Sequence, residues 1–83
     1  MKFVSLGGQY RIAVDDIASF TPINQNTKAV MEVLEAEGKL LYYGLSNTHR
    51  TVIFLKSGMA VVTDLRTVKL IERIAKVYTT INN

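Results

Sequence analysis

Among residues that move protons, attack carbonyls or ligate metals, this chain offers one histidine, His49, no cysteine, and seven carboxylates. Catalysis needs a positioned base, nucleophile or metal. His49 lies in the polar stretch GLSNTHR, where a lone imidazole more often hydrogen-bonds or meets solvent than acts as a base, and no second histidine exists for the common zinc sites. Asp15 and Asp16 could hold a hard cation, yet adjacent aspartates between strands usually turn the chain through their own backbone. Gly7 and Gly8 lack the following lysine of a phosphate loop, and hairpin geometry explains them. The expectation is a protein that binds rather than catalyses, with no catalytic residue, metal or cofactor and no small-molecule substrate.

One cationic pattern stands out. Arg66, Lys69, Arg73 and Lys76 are spaced three, four and three apart, so at about 100° per residue they share roughly a quarter of a helix. Such a stripe attracts a phosphate backbone. A solvated outer face explains it equally well, since Glu72 flanks it and no aromatic is interleaved for base stacking. Leu70 and Val77 project close to that stripe, outside the inner face read for this helix, which makes them the candidate oligomer interface.

Composition bounds the rest. The 83 residues suit a single domain, 1–83, and 48% of them are hydrophobic, generous for one thin core and suggestive of surface meant for a partner. Without cysteine a bridged secreted mini-protein is not expected. The start MKFVSLGGQYRIAVDD lacks the apolar core of a signal peptide, and no window approaches the ~20 apolar residues of a span, so a cytoplasmic protein with no membrane partner is expected. The net charge of +3 is uneven. Residues 1–41 carry four basic and five acidic side chains, net −1, and residues 42–83 carry six and two, net +4.

The pattern along the chain supplies the elements that must position these groups. Phe3 to Leu6, Gly7 and Gly8, then Gln9 to Val14 read as a hairpin. Ile17 to Phe20 continue the sheet after a bend or bulge, and Pro22 closes it. From Asn26 to Glu37 the period is helical, with Val30, Val33 and Leu34 together, Met31 beside them, a cap at Asn26 or Thr27 and a left-handed Gly38 at the end. Lys39 to Tyr43 is a short strand. Thr51 to Lys56 and Met59 to Val62 form a hairpin through Ser57 and Gly58, and Val52 to Leu55, apolar on both faces, predict a central strand covered on both sides. A last helix runs from Leu65 to about Thr79 with Asp64 as cap and Val68, Ile71, Ile74, Ala75 and Tyr78 inward. The fold class is α+β: a small, mostly antiparallel sheet of about four to five strands with two helices, the second packed on the sheet.

The segment from Gly8 to Ile74 resembles, in layout, the RemA family of bacterial extracellular-matrix regulators. The resemblance rests on a glycine-containing first turn, IASFTP, TKAVMEVLEAEG, LLYYG, NTHR running into TVIF, and TDLRTVKLIERI. Pro22, Lys28, Gly38 and Arg50 match the proline, lysine, glycine and arginine of that layout. It implies a ring-like oligomer that binds DNA through clustered arginines. Here Asn47 and Thr48 stand where adjacent arginines would fall, Arg50 survives nearby, and the second strand ends in Asp15 and Asp16, changes that weaken phosphate contacts. LGGQYRIAVDDIASF and VIFLKSGMAVVTDLRTVKLIERI are also similar to FlbD-like flagellar and short prophage proteins, implying only an interaction module.

These readings converge on a cytoplasmic homo-oligomeric DNA-binding transcription regulator resembling RemA. Arg50 with Asn47, Thr48 and His49 would contact the backbone, and Lys69, Arg73 and Lys76 would add positive field. The alternative is a non-enzymatic protein-interaction or scaffold module, possibly of phage origin, whose basic residues only solubilise it.

Overall fold

The computed structural model describes residues 2–43 and 48–79. Phe3–Gly7 (β1) and Tyr10–Ala13 (β2) pair antiparallel. Gly7 and Gly8 make the reversal with φ of 113° and 56°, values that cost a residue with a Cβ. The chain then passes through a 3-10 turn at Val14–Asp16, and Ile17–Pro22 (β3) leaves the hairpin for a second sheet. The expected continuation of one sheet is therefore a change of sheet: the bend expected at Asp15 and Asp16 is the 3-10 turn, and a separate register shift falls inside β3 between Ile17 and Ser19.

The second sheet is completed by Leu40–Tyr43 (β4), Thr51–Leu55 (β5) and Ala60–Thr63 (β6), in the order β3-β5-β6-β4. All its pairs are antiparallel except β4 with β6. Two helices, Gln25–Ala36 (α1) and Thr67–Thr79 (α2), complete an α+β fold. Asn24 caps α1 rather than Asn26 or Thr27: its side chain accepts from the Thr27 N–H at 3.0 Å while the Thr27 hydroxyl accepts from the Asn24 N–H at 2.6 Å. At the other end Gly38, φ 72°, lets Lys39 N–H reach the Leu34 carbonyl and Gly38 N–H the Glu35 carbonyl, which closes the helix as read.

The strands alternate, and so build a core on each face of the four-stranded sheet. Ile53 and Val61 meet Val4, Leu6, Ile12 and Val14 of the hairpin and Leu70 of α2. Val52, Ala60 and Val62 meet Met31 of α1. β5 is thus central and covered on both sides, as its apolar run requires. Among the described residues no helix is long and apolar enough to cross a membrane.

Both helices are rotated relative to the sequence reading. In α1, Met31 is buried and Leu34 half-buried, whereas Val30 and Val33 are exposed. In α2, Leu70 is fully buried and Ile74 and Val77 pack on the core, whereas Val68, Ile71 and Tyr78 are exposed. The candidate interface at Leu70 and Val77 is therefore core. The cause lies at the entry to α2, where a threonine network sets the rotation. The Thr51 hydroxyl donates to the Leu65 carbonyl at 2.7 Å and lies 2.8 Å from that of Thr67. Thr63 donates to the Leu6 carbonyl and accepts from Leu65 N–H, both at 3.2 Å. Thr51 and Thr63 are fully buried, so these bonds satisfy groups that would otherwise be stranded away from water. With Thr67 turned inward, Leu70, Ile74 and Val77 follow at helical spacing. The helix accordingly starts at Thr67, after Asp64, which sits in the preceding bend.

Candidate nucleic-acid interface

α2 and the residue just before it carry three stripes of identical spacing: Arg66, Lys69, Arg73 and Lys76; Thr67, Leu70, Ile74 and Val77; Val68, Ile71, Ala75 and Tyr78. Once the middle stripe faces the core, the basic stripe must lie on one flank and the outer apolar stripe on the other. The basic flank faces β1. The Arg73 guanidinium donates to the Ser5 carbonyl at 3.0 Å, which ties the helix to that strand and leaves its other N–H groups for further partners. Lys69 pairs with Glu72 at 3.4 Å, an exposed contact that holds neither side chain tightly.

Between this flank and β1 runs a groove of about 300 Å³ lined by Phe3, Val4, Ser5, Arg73, Lys76 and Val77. Phe3 is 53% exposed. The helix has no aromatic within its basic stripe, but the hairpin brings one beside Arg73 and Lys76. Arg11, also exposed, stands opposite Ser5 in the β1–β2 register. Phe3, Ser5 and Arg11 do not belong to the site that the sequence alone predicts. The two-residue period of β1 carries the signal: Val4 and Leu6 point inward, so Phe3 and Ser5 point out.

The loop part of the site lies elsewhere. Asn47 falls outside the described residues. Thr48, His49 and Arg50 are exposed. Arg50 is held through its backbone, its N–H donating to the Thr63 carbonyl at 3.0 Å and its carbonyl accepting from Ile23 N–H at 3.1 Å. Since Thr51 bonds to Leu65, Arg50 belongs to the end of the molecule where α2 begins, the end that carries Arg66. The cations singled out in the sequence thus fall into a helix flank and a loop at the head of that flank rather than one cluster.

His49 rests by its ring on Tyr42, centroids 5.0 Å apart, and the Tyr42 hydroxyl donates to Glu35 at 3.3 Å. Partial desolvation, and after it the Glu35 carboxylate, push the Tyr42 hydroxyl, on a side chain that is itself largely exposed, above the usual tyrosine value. Asp15 and Asp16 are exposed within the 3-10 turn, where the Asp16 carbonyl accepts from Lys56 N–H at 2.9 Å. Among the described residues no three histidine or carboxylate side chains gather as a metal site would require. The chain matches no protein-family model and no curated protein.

Proposed function

We propose that this chain is a DNA-binding regulator without catalytic chemistry, which holds the phosphate backbone along the basic flank of α2. One observation carries the reading: Arg73 and Lys76 of the basic stripe line a groove that the exposed Phe3 of the neighbouring strand lines from the other side. Cations supply affinity that does not depend on sequence, and an aromatic face offers stacking to an unpaired base. Arg50, at the head of the flank, is a second phosphate anchor. The RemA-like layout supports the same function, with the helix flank replacing the arginines that the loop lacks.

A titration of DNA against salt tests this. The logarithm of the binding constant should fall with a slope near −0.9 for each phosphate contacted. Absence of binding to duplex or single strand at ~50 mM salt, where screening is weakest, would remove the reading. A scaffold function is the second reading, and the apolar stripe left in water on the other flank of α2 favours it.

A further inference from the structure

The groove between α2 and β1 offers more than a seat for phosphate. Arg73 and Lys76 line it from the helix and Phe3 lines it from the strand, and among the described residues no carboxylate takes part in the lining. Val4 is fully buried and Phe3 is 53% exposed, so the Phe3 ring is the largest apolar group that the groove leaves in water. Arg11 stands opposite Ser5 on the outward side of the hairpin, which puts a cation on the strand side as well. The bond from Arg73 to the Ser5 carbonyl, 3.0 Å long, holds the planar guanidinium at the groove with further N–H groups to donate.

Resting on the DNA-binding reading, we infer that this groove takes single-stranded rather than duplex DNA, with phosphate on the side of Arg73 and Lys76 and an unpaired base stacked on Phe3. Two features speak against a duplex. Its base faces are closed inside the stack and its outer surface is phosphate and sugar, so the Phe3 ring would meet charge and find nothing to stack on. A helix reads a duplex by entering the major groove, which is about 12 Å wide and admits one helix or one two-stranded ribbon. Here β1 packs beside the basic flank and is bonded to it through Arg73 and Ser5. A helix of about 10–12 Å with a hairpin alongside is too wide to enter.

A single strand meets both conditions. Its bases turn freely onto an aromatic face while its backbone follows a row of cations, the combination by which strands are bound without base reading. Arg66 and Lys76 stand about 15 Å apart along the helix axis, room for roughly four nucleotides at the ~3.4 Å spacing of a stacked strand. One exposed ring beside that row implies one stacked base per chain, with little preference for its identity, because every base has a π-face.

Fluorescence anisotropy with labelled DNA of about 15 nucleotides, at ~50 mM salt, tests this. The probes are an oligothymidine, an abasic strand of the same length, which keeps the phosphates and lacks the bases, and a duplex. The oligothymidine should bind about tenfold more tightly than either, the size of one base stacking on an aromatic ring. Phe3→Leu should abolish its lead over the abasic strand at an unchanged melting temperature, because Phe3 is exposed. Phe3→Tyr keeps an aromatic face and should keep the lead. A duplex or an abasic strand bound as tightly as the oligothymidine overturns the inference and leaves the DNA-binding reading standing. A lead that survives Phe3→Leu, or is lost in Phe3→Tyr as well, overturns the stacking on Phe3. Displacement of the oligothymidine by polyglutamate at equal charge overturns the inference in favour of an acidic polypeptide. No binding of any probe removes the DNA-binding reading itself.

Discussion

The two flanks of α2 share a helix and a spacing, and they differ in what the neighbouring strand offers. On the flank toward β1, the Arg73 guanidinium crosses to the Ser5 carbonyl, and Phe3 lines the same groove as Arg73 and Lys76. On the flank toward β3, the helix side chains are apolar and meet a groove lined by Val14, Ile17, Phe20, Ile74 and Tyr78, and the Lys2 ammonium lies 4.7 Å from the Tyr78 ring centroid. Burial of the stripe between them would be the same for a helix with either flank reversed. What a flank can bind is therefore set by the strand beside it as much as by the helix.

Several substitutions break or sharpen this contrast. The largest effect should come from the stripe that separates the flanks. Leu70→Ala opens a cavity at a fully buried position between α2 and the sheet, and should cost about 3–5 kcal/mol in a urea or thermal melt. A loss below ~1 kcal/mol would return Leu70 to the surface and reverse the assignment of the flanks.

Next comes the device that sets the rotation. Thr51→Val keeps the volume but removes the donor to the Leu65 carbonyl and the partner of the Thr67 hydroxyl, which should cost about 1–3 kcal/mol. If the network only fills space, the melt will not move.

On the basic flank, Lys69→Glu with Lys76→Glu should lower DNA affinity and flatten the salt slope by roughly 0.9 for each phosphate no longer neutralised, at an unchanged melting temperature. Equal slopes for variant and wild type would place the DNA elsewhere, and Arg50→Ala would then be the informative change. A uniform loss over specific and random duplexes on Arg50→Ala means that its guanidinium holds phosphate, whereas loss at one sequence means base reading.

The smallest effects belong to exposed side chains with no role in the core. Ile71→Ser should change the stability of the dilute chain by no more than ~0.5 kcal/mol, in contrast to Leu70 one residue earlier. His49→Ala should leave DNA binding within a few-fold. Loss of a metal ion or of hydrolytic turnover on that substitution would make the imidazole a reactive group.

The sequence by itself determined the elements. Paired glycines at 7 and 8, Gly38 after a helical run, and β-branched residues from Thr51 to Leu55 act through local φ preferences and side-chain period, and each forms the turn, helix end or strand that its type favours. The α+β class and the burial of β5 on both faces follow from the same local signals. Which apolar stripe turns inward was decided only by tertiary structure. In α2, the stripes through Leu70 and through Ile71 are both apolar and a single residue apart, so periodicity alone assigns either one to the core. The hydrogen bonds of Thr51 to Leu65 and Thr67, and of Thr63 back to Leu6 in β1, link segments distant in sequence and break the tie. The candidate site shows the same division. The spacing of its cations is a local property legible in the chain, but Phe3 and Ser5 reach α2 only across the packed interface of hairpin and helix, about seventy residues apart in sequence.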